Sequence, residues 1–148
     1  MKIYDTDPEV YSRTTKIKAN KTKHEIDGVL AKFGIKDVWW HGAIGDEDIY
    51  LAFKLPPEKF GHIELKNLAV KLEPPRIWHK GKHKDEINWN VSIRNLYWYI
   101  LTHLSQAYVM QSSKITEFLP HILHPSGKIL AEALRPELQA LPEVAKQP

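Results

Sequence analysis

No cysteine occurs among the 148 residues. Disulfides, thiol catalysis, Cys-ligated zinc and iron–sulfur ligation are therefore excluded, and nothing argues for an oxidising compartment. Apolar stretches long enough to cross a bilayer are missing too. The opening residues MKIYDTDPEV hold no hydrophobic run, so no signal peptide is expected. The most apolar segment, residues 89–110, is interrupted by Asn, Thr, His, Ser and Gln. The expectation is a cytoplasmic protein without membrane contact. Internal repeats, a Gly-rich phosphate loop, a Ser nucleophile elbow and an HExxH motif are also absent. No residue set identifies a reaction by itself, and no cofactor or metal is expected.

Net charge is slight, +3, but it is segregated. Residues 13–23, RTTKIKANKTK, carry five basic residues and no acid; residues 76–84, RIWHKGKHK, carry four with two histidines and no acid. Acids collect at Asp5, Asp7 and Glu9 and again at Asp46, Glu47 and Asp48. Two separate basic segments in a nearly balanced chain point to an anionic partner.

The chain length suits one domain that buries roughly two-thirds of its unfolded surface. Residues 1–21 show no period and read as a basic arm. Thr22-Lys23-His24-Glu25 matches a capping box, Ile26, Val29, Leu30 and Phe33 follow at helical spacing, and Gly34 stands where a left-handed C-cap belongs. Residues 37–44 and 48–55 alternate as a β-hairpin, which sends Trp39 and Trp40 to opposite faces. A third strand is expected over 63–72, with Leu68, Val70 and Leu72 against Ala69 and Lys71, and a basic surface loop over 76–84.

Residues 89–110 spell the central helix. Ile93, Tyr97, Ile100, Leu104, Ala107 and Tyr108 form its buried stripe, with Leu96, Leu101 and Met110 on the flanks. Trp98 breaks the pattern by sitting on the polar face, one turn beyond Arg94. A short helix over 115–119, a short strand, a turn at Pro125-Ser126-Gly127, a helix over 129–141 and a disordered tail, 142–148, complete the reading. The predicted architecture is a single α+β domain over 22–141: an antiparallel sheet of three to four strands with helices packed on one face.

Three chemistries are open to such a chain. Binding of single-stranded nucleic acid needs cations along a backbone track and flat rings for bases. Arg76, Lys80, Lys82 and Lys84 would meet phosphates, with Arg94 beside Trp98 and Lys16, Lys18 and Lys21 closing over the strand. Trp78, Trp98, Tyr50 and one of Trp39 and Trp40 would stack. The second chemistry is a Mg²⁺-dependent nuclease, because Asp48 and the run Glu64-Leu65-Lys66 match the spacing of a D…ExK site. That short motif also arises by chance in sequences rich in Lys and Glu. The third is a protein that binds a host protein through an apolar patch. His79 with His83 and His121 with His124 lack the acids or cysteines that would complete a zinc site, and His103 reads as a core histidine. Homo-oligomerisation is left open.

TKHEIDGVLAKFG (22–34) followed by a tryptophan-bearing strand, the basic loop before a long helix, and FLPHILHPSGKILAEALRP (118–136) resemble small proteins of archaea and their mobile elements. They look like single-stranded DNA-binding proteins of the ThermoDBP type. An F-L-x-H-I…P-x-G-x-x-x-x-E-x-L pattern is similar to small phage-encoded proteins as well, from which this chain departs in a central helix richer in Tyr and Trp and poorer in Lys. The resemblance implies sequence-tolerant binding of single strands in a basic and aromatic cleft, DNA before RNA.

Overall fold

The computed structural model describes residues 1–123; the turn at Pro125-Ser126-Gly127, the helix expected over 129–141 and the tail 142–148 lie outside them. In chain order come β1 (Ile3–Tyr4), α1 (Ala19–Lys32), β2 (Val38–His41), β3 (Tyr50–Lys54), β4 (Glu58–Phe60) and β5 (Ile63–Leu65). Then follow β6 (Ala69–Leu72), β7 (Ile77–His79), β8 (Glu86–Ile87), α2 (Trp89–Val109), α3 (Lys114–Glu117) and a 3-10 turn, Leu119–His121. The class is α+β. Among the described residues no helix is long and apolar enough to cross a membrane.

β2, β3 and β6 pair antiparallel in that order, with Val38 opposite Phe53 and Phe53 opposite Val70. Successive side chains of a strand point to opposite faces, so this register puts Val38, Trp40, Leu51, Phe53, Val70 and Leu72 on one side. They share a single apolar core with Ile26 and Leu30 of α1 and with Ile93, Leu96, Ile100 and Leu104 of α2. Burying one such side chain fully contributes about 1.5–3 kcal/mol, several times the propensity of any single helical residue. Packing therefore fixes where the helices lie. Ile122 extends the sheet by a bridge to Val70, with Leu123 N–H donating to the Ala69 carbonyl.

α1 ends as the sequence implies. Gly34 has φ +84°, Ile35 N–H reaches the Leu30 carbonyl at 2.9 Å and Gly34 N–H the Ala31 carbonyl at 3.1 Å, a Schellman close. Its start differs. The helix begins three residues before Thr22, and Asn90 Oδ1 accepts from Ala19 N–H in place of a capping box. Thr22 is buried inside the helix, and among the described residues its hydroxyl has no hydrogen-bond partner. Gly28 is exposed, and a Cβ built there would meet nothing within 4 Å. Gly28→Ala should accordingly stabilise the fold by about 1 kcal/mol, read as a higher urea midpoint with an unchanged slope.

Other departures from the expectation have identifiable causes. Residues 1–21 are not an arm. β1 runs parallel to β7, Asp5 N–H donates to the Trp78 carbonyl, the Asp5 carboxylate accepts from Asn88 Nδ2 at 2.9 Å and pairs with His79 Nδ1 at 2.8 Å, and Tyr4 O–H donates to Asp85 at 2.7 Å. The basic segment 76–84 is a loop only in its second part: Ile77–His79 are a strand, and residues 80–84 form the exposed β7–β8 turn. Ile77 is buried on the central strand of a second sheet, β1-β7-β8. A Cβ at Gly81 would lie 2.2 Å from the Lys84 carbonyl oxygen, so the β7–β8 turn closes only around glycine. The strand expected over 63–72 breaks at Asn67, which sits at φ 60°. Its first part folds back on β4 and its second joins β3.

α2 matches its expected span to within a residue, but Tyr108 and Met110 project into solvent. Tyr108 is 77% exposed, and its ring meets that of Phe33 edge-on. Beyond it, Ser113 caps α3 by accepting from Thr116 N–H, and Glu58 of β4 accepts from Ser113 Oγ and from Lys114 N–H at 2.9 Å.

Candidate nucleic-acid interface

The helices cover one face of the β2-β3-β6 sheet; the other carries Trp39, His41, Tyr50, Ala52, Lys54 and Lys71, fixed by the same alternation. Trp39 is 42% exposed. His41 and Tyr50, opposite one another, stack with ring centroids 4.6 Å apart and an interplanar angle of 13°. Lys71 Nζ lies 4.5 Å from the Tyr50 centroid on the third strand. Carboxylates lie beside both: Glu73 is 3.8 Å from Lys71, and Asp48 is 3.1 Å from His41 Nε2. The His41 hydrogen bond is the main reason the Asp48 carboxyl is held below its ordinary value, with a backbone hydrogen bond adding to it. Arg76 reaches the Glu47 carbonyl with one N–H, which pins the β6–β7 link to the β2–β3 turn.

The expected single groove is divided. Trp40 points inward: its N–H donates to Asp27 and its ring lies 4.8 Å from Lys23 Nζ, which removes it from any stacking role. Trp78 sits on the second sheet, half-buried beneath Lys2 and beside Tyr4, with Lys80 over the Tyr4 ring. Lys82 and Lys84 are exposed in the β7–β8 turn. Lys16, Lys18 and Lys21 are exposed at and before the first turn of α1, in the helical layer behind the sheet, so they close over nothing on Trp39's side. Arg94 is no free cation, because its guanidinium pairs with Glu25 and lies against Tyr97 and Trp98. The nuclease trio does not converge either. Asp48 precedes β3, whereas Glu64 and Lys66 follow its far end on and beyond the β4–β5 hairpin. Among the described residues no cluster of three or more His, Asp or Glu could hold a metal ion.

Trp98, 39% exposed, belongs to a different feature. It lines a cleft of about 730 Å³ together with Tyr11, Leu72, Glu73, Tyr99 and His121. The indole N–H donates to Ser12 Oγ at 3.0 Å, so the N-terminal segment holds the ring in place. Compared with protein-family models, curated proteins and solved structures, the chain matches none. Its site must be read from its own side chains.

At the floor of the cleft Tyr99 O–H and His121 Nε2 are 2.8 Å apart, and His103 Nδ1 meets Glu117 at 2.9 Å. His103 is thus the hydrogen-bonded histidine its helical position implies. Burial, then the Glu117 charge, raises the Tyr99 pKa; burial, then His103, lowers that of His121. Both groups are neutral at pH 7, so Tyr99 donates to Nε2 and His121 keeps Nδ1–H as a donor. A histidine whose folded pKa is lowered leaves the unfolded chain binding more protons below the ordinary value of 6.5. Its contribution is therefore flat above that value, and stability declines as pH falls through it. Thermal melts between about pH 7.5 and about pH 5 should show this decline reduced in His121→Gln. An equal decline in the variant would remove His121 as its source.

Sequence reading missed Lys54 and Lys71 as site residues although alternation already set them on Tyr50's side. It missed the cleft because Tyr11, Glu73 and Tyr99 meet only through the tertiary fold.

Proposed function

We propose that this domain binds single-stranded nucleic acid on the outward face of the β2-β3-β6 sheet. The observation that carries the reading is the open indole of Trp39 on the same face as the stacked His41–Tyr50 pair and Lys71. Flat rings on a sheet suit splayed bases irrespective of sequence, and Lys54, Lys71 and Arg76 lie where a backbone would pass. Double-stranded DNA presents its bases edge-on and stacked, so it gains nothing from these rings. The preference for DNA over RNA rests on the resemblance to ThermoDBP-type proteins alone. Glu73 already engages Lys71, so electrostatics contributes less here than in a strongly basic groove.

Fluorescence anisotropy with a labelled single strand and the matching duplex tests this. Three phosphate contacts imply a slope of log K against log salt of about −2 for a single strand. Between about 50 mM and about 200 mM salt that is a loss of about twentyfold. Equal affinity for single strand and duplex, or no dependence on salt, would sink the proposal, and cleavage in the presence of Mg²⁺ would show that binding is not the whole activity.

A further inference from the structure

We infer that the cleft between α2 and the end of β6 accepts one flat heterocyclic base, supplied either as a free nucleoside or by a strand lying on the sheet face. The free-nucleoside arm stands apart from the function proposed above; the strand arm rests on it. Three observations converge. The volume, about 730 Å³, falls within the range of small-molecule sites. The walls include the rings of Tyr11, Trp98 and Tyr99, and Trp98 is fixed by its bond to Ser12 and by an edge-on contact with Tyr97 at 5.3 Å. A locked ring loses little entropy when a ligand stacks on it.

The polar groups of the same wall are partly committed, and what is left includes both donors and acceptors. Asn95 Nδ2 donates to the Tyr11 carbonyl at 2.7 Å and to the Val91 carbonyl at 2.8 Å, so only its Oδ1 acceptor is left. His103 Nδ1 is occupied by Glu117, which leaves Nε2. The neutral Tyr99–His121 pair leaves Nδ1–H of His121 as a donor, and Thr102 adds a hydroxyl that serves as either. A hydrocarbon would strand these groups without partners, and a sugar would leave the rings without a flat face. A purine or pyrimidine satisfies both. Glu73 joins the two features, since it lines the cleft and also pairs with Lys71 on the sheet face. A strand held on the sheet face at Lys71 passes near Glu73 and so near the mouth of the cleft, where one base can turn in.

Calorimetric titration of adenosine and uridine into the full chain tests the first arm, with indole as a ring that lacks acceptors. Nucleoside binding should fall about tenfold or more in Thr102→Trp, which fills the cleft from an exposed helical position, and about fivefold in His121→Ala, on a separate element. Indole should bind about tenfold more weakly than either nucleoside. For the second arm, a strand carrying one abasic site should bind more weakly than the intact strand to wild type but equally to Thr102→Trp. Absence of nucleoside binding at about 5 mM, or nucleoside binding indifferent to both substitutions, or indole binding as tightly, overturns the inference. Strand binding that depends on Trp39, together with no nucleoside binding, leaves the sheet-face function standing and removes the base cleft; nucleoside binding that depends on Thr102 without strand binding does the reverse.

Discussion

Trp39→Ala is expected to weaken binding of a short single strand by about tenfold or more, because stacking a base on an exposed ring is worth about 1–3 kcal/mol. The substitution removes the largest open ring on the sheet face, and Trp39→Phe should keep part of the affinity because a flat surface is retained. Trp39 stands opposite Ala52, which is 1% exposed, so the melting temperature of each variant has to be measured beside its affinity. Lys71→Ala is a different perturbation. It removes a cation, so it should flatten the salt dependence by about 0.7 in slope while reducing affinity evenly across sequences. Wild-type affinity in Trp39→Ala, with the fold intact, would mean that strands do not lie on this face.

Phe118→Ala should cost about 3–5 kcal/mol of folding stability, the range for truncating a fully buried aromatic. Phe118 has no exposed surface; its ring meets Phe53 edge-on at 5.5 Å and His103 at 5.8 Å. Few other residues could relax into the space, since Phe53 belongs to the central strand and His103 is tied to Glu117. Chemical denaturation should show a lower midpoint with the slope unchanged. A loss below about 1 kcal/mol would mean that the sheet and α3 close over the cavity. The same substitution loosens the floor of the cleft, so its effect on ligand affinity is not separable from its effect on stability, unlike that of Thr102→Trp.

Periodicity carried much of this fold. α2 and the β2–β3 hairpin are where spacing places them, because an apolar stripe or alternation over many residues leaves a single face to bury. The same alternation told that one of two adjacent tryptophans had to face outward, and only the tertiary contact of Trp40 with Asp27 of α1 decides which. What escaped the sequence depends on partners far along the chain. The start of α1 is held by Asn90, 71 residues away, and overrides a local capping box. Arg94 beside Trp98 reads as a recognition pair until Glu25, 69 residues away, is seen to take the charge. Basic segments that look contiguous in composition end in different layers of the fold, so the cations divide between surfaces.

The parallel pairing of β1 with β7 has a consequence for synthesis. Ile3 lies opposite Ile77, so 77 − 3 = 74 residues of chain must be made before the first strand has anything to pair with. At about 5–20 residues per second the ribosome leaves those opening residues waiting for roughly 4–15 s. Closure of so long a loop is slow relative to local helix and hairpin formation, and a chain arrested before residue 77 would leave the segment exposed to proteases and to strand pairing with other nascent copies.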